Sequence, residues 1–183
     1  MKMETSPASS QPQKGYAAIV RTLLAMLVLC GAAPMFADSV YRSVFVDGSG
    51  QLHFVLESGK EVLPQKTHGQ TSFGDPEIAA DGRAVGWLAM YPDPSITYYK
   101  GAEIAGGLVI YRDGHVLHTF STDQIFWDWQ FQDDGKRVAY STGPTHGGAA
   151  ECVLRDVKSG RILARWRVQS SGEPPAWAQT LRR

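Results

Sequence analysis

Two stretches of the sequence decide the fold: Asp81-Gly-Arg-Ala-Val-Gly-Trp87 and Asp134-Gly-Lys-Arg-Val-Ala-Tyr140 align without a gap. Each opens with an Asp-Gly-basic triplet, which favours a tight turn, and continues into an apolar run typical of a strand. The alignment extends upstream, where Ile78 matches Phe131. A match in register over this length indicates a repeated supersecondary unit.

A second hairpin follows each of these stretches. In the first unit it is the segment 108–117, and in the second it is the segment 152–163, each with a glycine turn between two apolar runs. The segment Leu52–Leu63 has the pattern of the closing half of an earlier unit. The tail Pro175–Arg183 has the pattern of the start of a later one, although it lacks the Asp-Gly turn.

Strands are predicted throughout the chain after residue 38. They are short and separated by Gly, Asp and Pro turns, and no stretch there keeps a helical period of 3.6 residues over three turns. The sequence therefore predicts an all-β fold of antiparallel meander sheets. The predicted strands are a hairpin within Val44–Leu56, then Glu61–Leu63, Ala84–Met90, Leu108–Arg112, His115–Phe120, Trp129–Gln132, Arg137–Ser141, Glu151–Asp156 and Arg161–Val168.

This repeat pattern resembles the TolB-like repeats of β-propellers, a family related to WD-type repeats. The resemblance covers Asp75–Trp166, and the flanks match only as half-units. It implies four-stranded, blade-like meanders that stack face to face, because one meander cannot bury both of its faces alone. Closed propellers have roughly 4–8 blades, so two full units with flanking halves predict an incomplete propeller. Such a chain folds as a compact set of sheets, associates, or is a remnant of a longer one.

The alignment also predicts core positions and a role for the tail. Phe131 and Val138 are expected in the core of the second unit, as Ile78 and Val85 are in the first. Trp177 stands at the position of Ile78 and Phe131 in the tail, which predicts that the tail adds a strand to a half-unit. Pairing within one chain gives a monomer and exchange gives a dimer or larger ring; high effective concentration favours the monomer.

The first 37 residues have the features of an export signal. Lys14 and Arg21 precede the apolar run Thr22–Ala33, which has the length of a signal core and is shorter than the roughly 20 residues of a spanning helix. Pro34 then interrupts the helix, and the small residue Ala37 precedes the expected cleavage site. Residues 38–183 are therefore expected to form the repeat domain, located in the periplasm or secreted.

Two alternatives remain open for this segment. Cys30 is the acylated residue if the signal is that of a lipoprotein, although Leu29 is bulky for the position before such a cysteine. The segment is an uncleaved membrane anchor if no cleavage occurs. Contact with a membrane is expected only through the signal or such a lipid anchor.

Charge and motifs exclude several classes of function. The chain has 18 basic and 18 acidic side chains, and removing residues 1–37 leaves the remainder at −2, so nucleic acid is not expected as a partner. No nucleophile elbow, zinc-protease motif or P-loop is present. The histidines are scattered, and neither a metal site nor a cofactor is predicted. Cys152 and His146 form the one conceivable thiol–imidazole pair, but Cys152 lies in an apolar run typical of a buried residue.

Aromatic residues supply the candidate binding surface. The segment Phe126–Phe131 is rich in aromatic side chains, and strand periodicity predicts Trp127, Trp129 and Phe131 on one face. Tyrosines flank the loop 91–107, the longest predicted connection, and long loops on β scaffolds often carry recognition. The alternative is that one of these faces is core between sheets. The candidate binding residues are Tyr91, Tyr98, Tyr99, Trp127 and Trp129.

Together these patterns predict an exported, non-catalytic binding or scaffold module. Its expected partner is another protein of the bacterial cell envelope, since aromatic residues are enriched in protein interfaces. A periplasmic protein that binds a small ligand or glycan is the alternative, because stacked Trp and Tyr rings also suit sugars. A hydrolase using Cys152 and His146 is the third hypothesis.

The first prediction concerns export. The protein recovered after export should start near Asp38, because Pro34 and Ala37 follow a short apolar run that a signal peptidase can process. Intact-mass spectrometry of the recovered protein measures this. A species that retains residues 1–37, or carries lipid on Cys30, would contradict it.

Overall fold

The computed structural model describes residues 40–93, 95, 101–169 and 172–181. The predicted signal, residues 1–37, lies outside them. The described residues form eleven strands and one short helix. In chain order these are β1 (Tyr41–Val46), β2 (Leu52–Leu56), β3 (Glu61–Val62), β4 (Ser72–Ile78), β5 (Ala84–Pro92), β6 (Glu103–Arg112), β7 (His115–Ser121), β8 (Ile125–Gln132), β9 (Arg137–Gly143), β10 (Glu151–Asp156), β11 (Ile162–Arg167) and α1 (Ala176–Gln179).

The strands form three antiparallel meanders. The first sheet has the order β1-β2-β3, the second β4-β5-β6-β7 and the third β11-β10-β9-β8. Each strand pairs with its neighbours in sequence, which is the topology of propeller blades. The predicted all-β fold and incomplete propeller are confirmed. The first sheet contains the expected closing half-unit, the hairpin β2–β3, preceded by β1.

The two full repeat units share the same strand register. Ile78 pairs with Val85 in the second sheet, and Phe131 pairs with Val138 in the third. Both valines are fully buried, whereas Ile78 and Phe131 are half-buried and pack against the margins of the apolar clusters. The predicted core position of Val138 is confirmed, and Phe131 contributes less burial than the alignment alone suggests.

The Asp-Gly turns need glycine for two reasons. Gly82 and Gly135 have φ angles of 68° and 79°, in the left-handed region where other residues are strained. The N–H of Gly82 donates to the carbonyl oxygen of Ala79 at 2.8 Å, which closes the turn. A Cβ on Gly135 would lie 2.5 Å from the Cβ of Ala79. The turn of the third sheet therefore packs directly on the turn of the second.

Strand β4 has no counterpart among the predicted strands. Gly74 and Pro76 interrupt its sequence, and both residue types are unfavourable in a regular strand. The register between β4 and β5 shifts between Gly74 and Glu77, and Asp75 has a φ of 42°. Pro76 lies inside this bulge on an edge strand, where no ladder hydrogen bond from its nitrogen is needed. The bulge therefore makes the strand possible and hides it from pattern analysis.

An aromatic cluster fills the space between the first and second sheets. The ring of Phe54 lies 5.1 Å from that of Tyr111 and 5.7 Å from that of Trp87, between ring centroids. Tyr41 adds an edge-on contact with Phe54. These side chains are all buried. The open first sheet is thus fixed to the second by the area its rings bury.

A second cluster fills the space between the second and third sheets. Leu108, Ile110 and Phe120 come from the second sheet, and Phe126 and Tyr140 come from the third. The rings of Phe126 and Tyr140 lie 5.1 Å apart, between centroids. The two full repeat units therefore bury each other's apolar faces, as stacked blades do.

The tail does not add a strand in the part that the structure describes. Residues Ala176–Gln179 form the helix α1 instead, and Pro175 precedes it with a φ of −60° suited to a helix start. Ala178 and Leu181 are buried against the outer face of the third sheet, in a cluster with Leu154. The expected strand pairing of Trp177 is wrong. The tail forms a helix whose apolar residues cover the outer face of the third sheet.

The second and third sheets also approach closely where Trp129 lies on Gly86. A Cβ at position 86 would be 2.5 Å from the Cη2 atom of the Trp129 ring. The indole Nε1–H of Trp129 donates to the carbonyl oxygen of Asp75 at 3.2 Å. Glycine at this position is therefore required by the neighbouring sheet.

The second prediction tests this contact. Gly86→Ala should lower the free energy of unfolding by about 1–3 kcal/mol, because the added methyl overpacks the interface with Trp129. Chemical denaturation of both proteins measures the change. Gly48→Ala is the matched control, since a Cβ there meets no atom within 4 Å. Equal losses in the two variants would contradict the assigned contact.

Candidate functional site

One face of the third sheet carries two rows of cross-strand neighbours that point towards the second sheet. In one row Tyr140 and Arg165 both pair with Val153, and in the other Thr142 and Arg167 both pair with Glu151. Residues opposite each other on neighbouring strands share a face. The apolar part of this face is covered by the second sheet, and its outer part on β11 is not.

The uncovered part forms a groove of about 570 Å³. The end of β7 at Ser121 and the linker Thr122–Gln124 form one side, and β10 and β11 form the other. The volume lies within the roughly 300–1,000 Å³ typical of ligand clefts. Its lining is mainly hydroxyl, amide and charged groups, with the ring of Tyr140 at the base. Such a lining suits a polar ligand.

Arg155 is held rigidly at the floor of the groove. Its Nε donates to the hydroxyl of Tyr140 at 2.8 Å, and its Nη1 donates to the carbonyl oxygen of Gly160 at 2.7 Å. The guanidinium carbon lies 4.6 Å from the ring centroid of Phe120, a cation–π geometry. A cation fixed in this way loses little side-chain entropy when a ligand binds.

Two further arginines line the side of the groove on β11. Arg165 forms an ion pair with Glu151 at 2.5 Å, and the Arg167 side chain is exposed beside it. The charged lining residues are three arginines and two carboxylates, Asp123 and Glu151, which leaves one net positive charge. Guanidinium groups bind carboxylates with paired N–H donors, so the groove is suited to an acidic ligand of low total charge.

This groove was not predicted from the sequence. Its basic residues stand in the locally basic stretch of residues 155–183, which is also consistent with a solvated strand face. The available signal was the spacing of Arg165 and Arg167, which places both side chains on one face of a strand. The linker Thr122–Gln124, which closes the other side, has no sequence signal that relates it to β11.

The predicted aromatic face of β8 is not formed. The register between β8 and β9 shifts between Phe126 and Asp128, and this bulge reverses the alternation. Phe126 and Trp129 are consequently both buried in the cluster between the sheets, while Trp127 is 37% exposed. Trp129 is therefore a core residue, and the alternative of inter-sheet packing applies to it.

Of the three candidate tyrosines, Tyr91 lies among the described residues. Tyr91 is half-buried, its hydroxyl lies 2.9 Å from the Oγ1 of Thr67, and its ring occupies the space beside Gly106. It links the connection before β4 to the end of β5. Tyr98 and Tyr99 lie outside the described residues. The described residues do not bring Tyr91 and Trp127 together as one surface with Trp129.

The thiol–imidazole hypothesis finds no matching geometry in the described residues. Cys152 is fully buried beneath the tail, in the cluster with Ala178 and Leu181. His146 lies on the exposed loop 144–150. A thiol with no exposure meets substrate only after local unfolding.

Two further features are absent from the part of the chain that the structure describes. No cluster of three or more His, Cys, Asp or Glu side chains there has an arrangement that could hold a metal ion. No helix in the same residues is long and apolar enough to cross a membrane.

Comparison with known proteins gives a limited match. No protein-family model matches the chain, and no curated protein matches it in sequence. Among solved structures, the chain is similar to one described as the C-terminal WD40 domain of Sif2, with 13% identity and a TM-score of 0.39. The match covers 66% of this chain and 31% of that one, so the chain spans less than two thirds of its length.

A second polar cluster lies on the outer face of the first sheet. The Nδ1 of His53 is 2.7 Å from the Oε1 of Glu61, and its Nε2 is 3.0 Å from the Oδ2 of Asp47. The ring of Phe45 stacks on the imidazole, with centroids 4.9 Å apart. The hydrogen bonds to Glu61 and Asp47 raise the pKa of His53 above its ordinary value. They favour the charged imidazole, in which both nitrogens donate.

The third prediction follows from this histidine. Because its pKa is higher in the folded than in the unfolded state, His53 stabilises the fold fully below pH about 6.5. That stabilisation is lost as the pH rises through the raised pKa. The loss of stability in His53→Gln should therefore be largest in mild acid and smaller in alkali, as measured by urea midpoints across the pH range.

The control for this prediction is His68→Gln. His68 is exposed on the connection between β3 and β4. Its replacement removes an imidazole but leaves the contacts of His53 with Glu61 and Asp47 in place. A stability difference for His53→Gln that does not vary with pH would show that the imidazole contributes only by packing on Phe45.

Proposed function

We propose that the chain is an exported, non-catalytic protein-interaction module of the bacterial cell envelope, built from TolB-like repeats. The observation that carries this proposal is the groove on the third sheet, where Arg155, Arg165 and Arg167 line an open, polar cleft of about 570 Å³. The predicted export signal supports the location. The stacked sheets supply a rigid support for the cleft.

Binding fits the groove better than catalysis does. Three of its lining residues are arginines, whose guanidinium groups stay charged and bind carboxylates through paired N–H donors. The best-positioned cation, Arg155, already donates to Tyr140 and to the carbonyl oxygen of Gly160. Side chains held in this way present a fixed surface, which favours recognition.

A protein partner fits better than the other classes. The groove presents hydroxyl and amide groups, such as Thr122 and Gln169, beside its charges, and peptide backbones need such donors and acceptors. One net positive charge is too little for a nucleic-acid backbone, whose binding depends on many neutralised phosphates. The glycan alternative relied on neighbouring exposed rings, and Trp129 is buried.

The fourth prediction tests the function in the exporting cell. A photoreactive amino acid at Gln169, at the mouth of the groove, should form a crosslink to a protein of defined mass after irradiation. The same residue at Glu57, in the exposed turn after β2, is the control for random encounters. Mass spectrometry of the crosslinked species identifies the partner.

The outcome has clear alternatives. Crosslinks of equal yield at Gln169 and Glu57 would show that the groove is no preferred contact. A Gln169 adduct that contains only a second copy of the chain, or only carbohydrate, would contradict an envelope protein partner. A partner that crosslinks at Gln169 alone supports the proposal.

A further inference from the structure

Strand β11 is the edge of the third sheet on the side of the groove. Among the described strands it pairs only with β10, and an edge strand of this kind offers backbone groups to a further strand. The tail packs on the face of this sheet, in the cluster of Ala178 and Leu181 with Leu154. A sheet edge beside a charged groove is a place where an extended segment of another chain can pair.

The side chains of β11 alternate in chemistry. Arg165 and Arg167 lie on the groove side and are exposed. Ala164 and Trp166 lie on the opposite side, against the apolar cluster under the tail. A strand added to this edge would place its alternate residues beside these two different surfaces, with about 6.8 Å between residues on one side.

We infer that the groove binds an extended, acidic–apolar–acidic segment of a partner protein, which pairs with β11 as a fifth strand of the third sheet. This inference rests on the proposed function and specifies its partner. The two acidic side chains lie beside Arg165 and Arg167, and the apolar side chain between them lies beside Trp166. Opposite charges at neighbouring cross-strand positions stabilise such a pairing.

The charges of the groove select carboxylates over a polyanion. Glu151 pairs with Arg165, and Asp123 faces the groove from the linker. These two carboxylates repel a ligand with dense negative charge, while the other N–H groups of the guanidinium can still donate. Two isolated acidic side chains at alternate positions meet both arginines without that repulsion.

The edge of the second sheet provides an internal comparison. Strand β7 has the same position in its sheet as β11, but its sequence, His115–Ser121, contains no Lys or Arg. Its exposed side chains include Val116 and Thr119. An acidic segment therefore has a reason to choose β11 that does not apply to β7.

The fifth prediction uses a labelled peptide, Thr-Glu-Val-Glu-Val-Thr, and the purified protein. Fluorescence anisotropy should show saturable binding. Affinity should fall by about tenfold in Arg165→Gln/Arg167→Gln, as expected for the loss of two partly exposed ion pairs. The control, Arg42→Gln/Arg161→Gln, removes the same charge from exposed positions outside the groove and should bind as the parent does. Melting curves verify that both variants are folded.

Peptide variants on the unaltered protein keep the test independent of any folding defect. The shuffled peptide Thr-Glu-Glu-Val-Val-Thr has the same composition, but its acidic side chains point to opposite sides of a strand. It should bind at least several-fold more weakly. Hydrogen exchange should slow at the amides of Arg165 and Arg167 when the alternating peptide binds, because these amides point away from β10 and an added strand protects them.

Several results would overturn the inference. They are no saturable binding, equal affinity of the alternating and shuffled peptides, unchanged exchange at the amides of Arg165 and Arg167, and displacement of the peptide by sodium phosphate as effectively as by unlabelled peptide. The last result would identify a simple anion site. If one of these results is obtained while a partner still crosslinks at Gln169, this inference fails and the proposed function stands. If the peptide binds but no partner crosslinks at Gln169, the proposed function fails.

Discussion

The three sheets are held together by burial that each sheet can obtain only from its neighbour. A meander has two faces, and an apolar face exposed to water costs about 25 cal/mol for each Å² that could be buried. The rings of Phe54, Trp87 and Tyr111 fill one interface, and Phe126 and Tyr140 help to fill the next. The groove borders the second of these interfaces, since Tyr140 and Val153 belong to both.

The sequence predicted the parts of the fold that depend on local geometry. Asp-Gly turns and period-two patterns determine hairpins within a few residues, so alignment of the two units alone predicted the buried positions of Val85 and Val138. Bulges were not predicted, because an inserted residue breaks the period-two alternation by which strands are recognised. Pro76 in β4 and the shift after Phe126 in β8 both show this effect.

The candidate site escaped prediction for a different reason. The groove exists because β11 extends past the cover that the second sheet gives to the third, and such an offset depends on how twisted sheets stack. Sequence spacing places Arg165 and Arg167 on one face, but it does not say whether that face is covered. Trp129 shows the converse case. Its aromatic side chain suggested a binding surface, but in the structure it is buried and packs against Gly86.

The short helix α1 makes the two outer faces of the stack of sheets different. It covers the outer face of the third sheet with Ala178 and Leu181, while the outer face of the first sheet leaves Phe45 44% exposed. The two outer faces of the stack therefore meet solvent in different ways. A helix covers the apolar outer face of the third sheet, whereas the polar cluster around His53 stands on the outer face of the first.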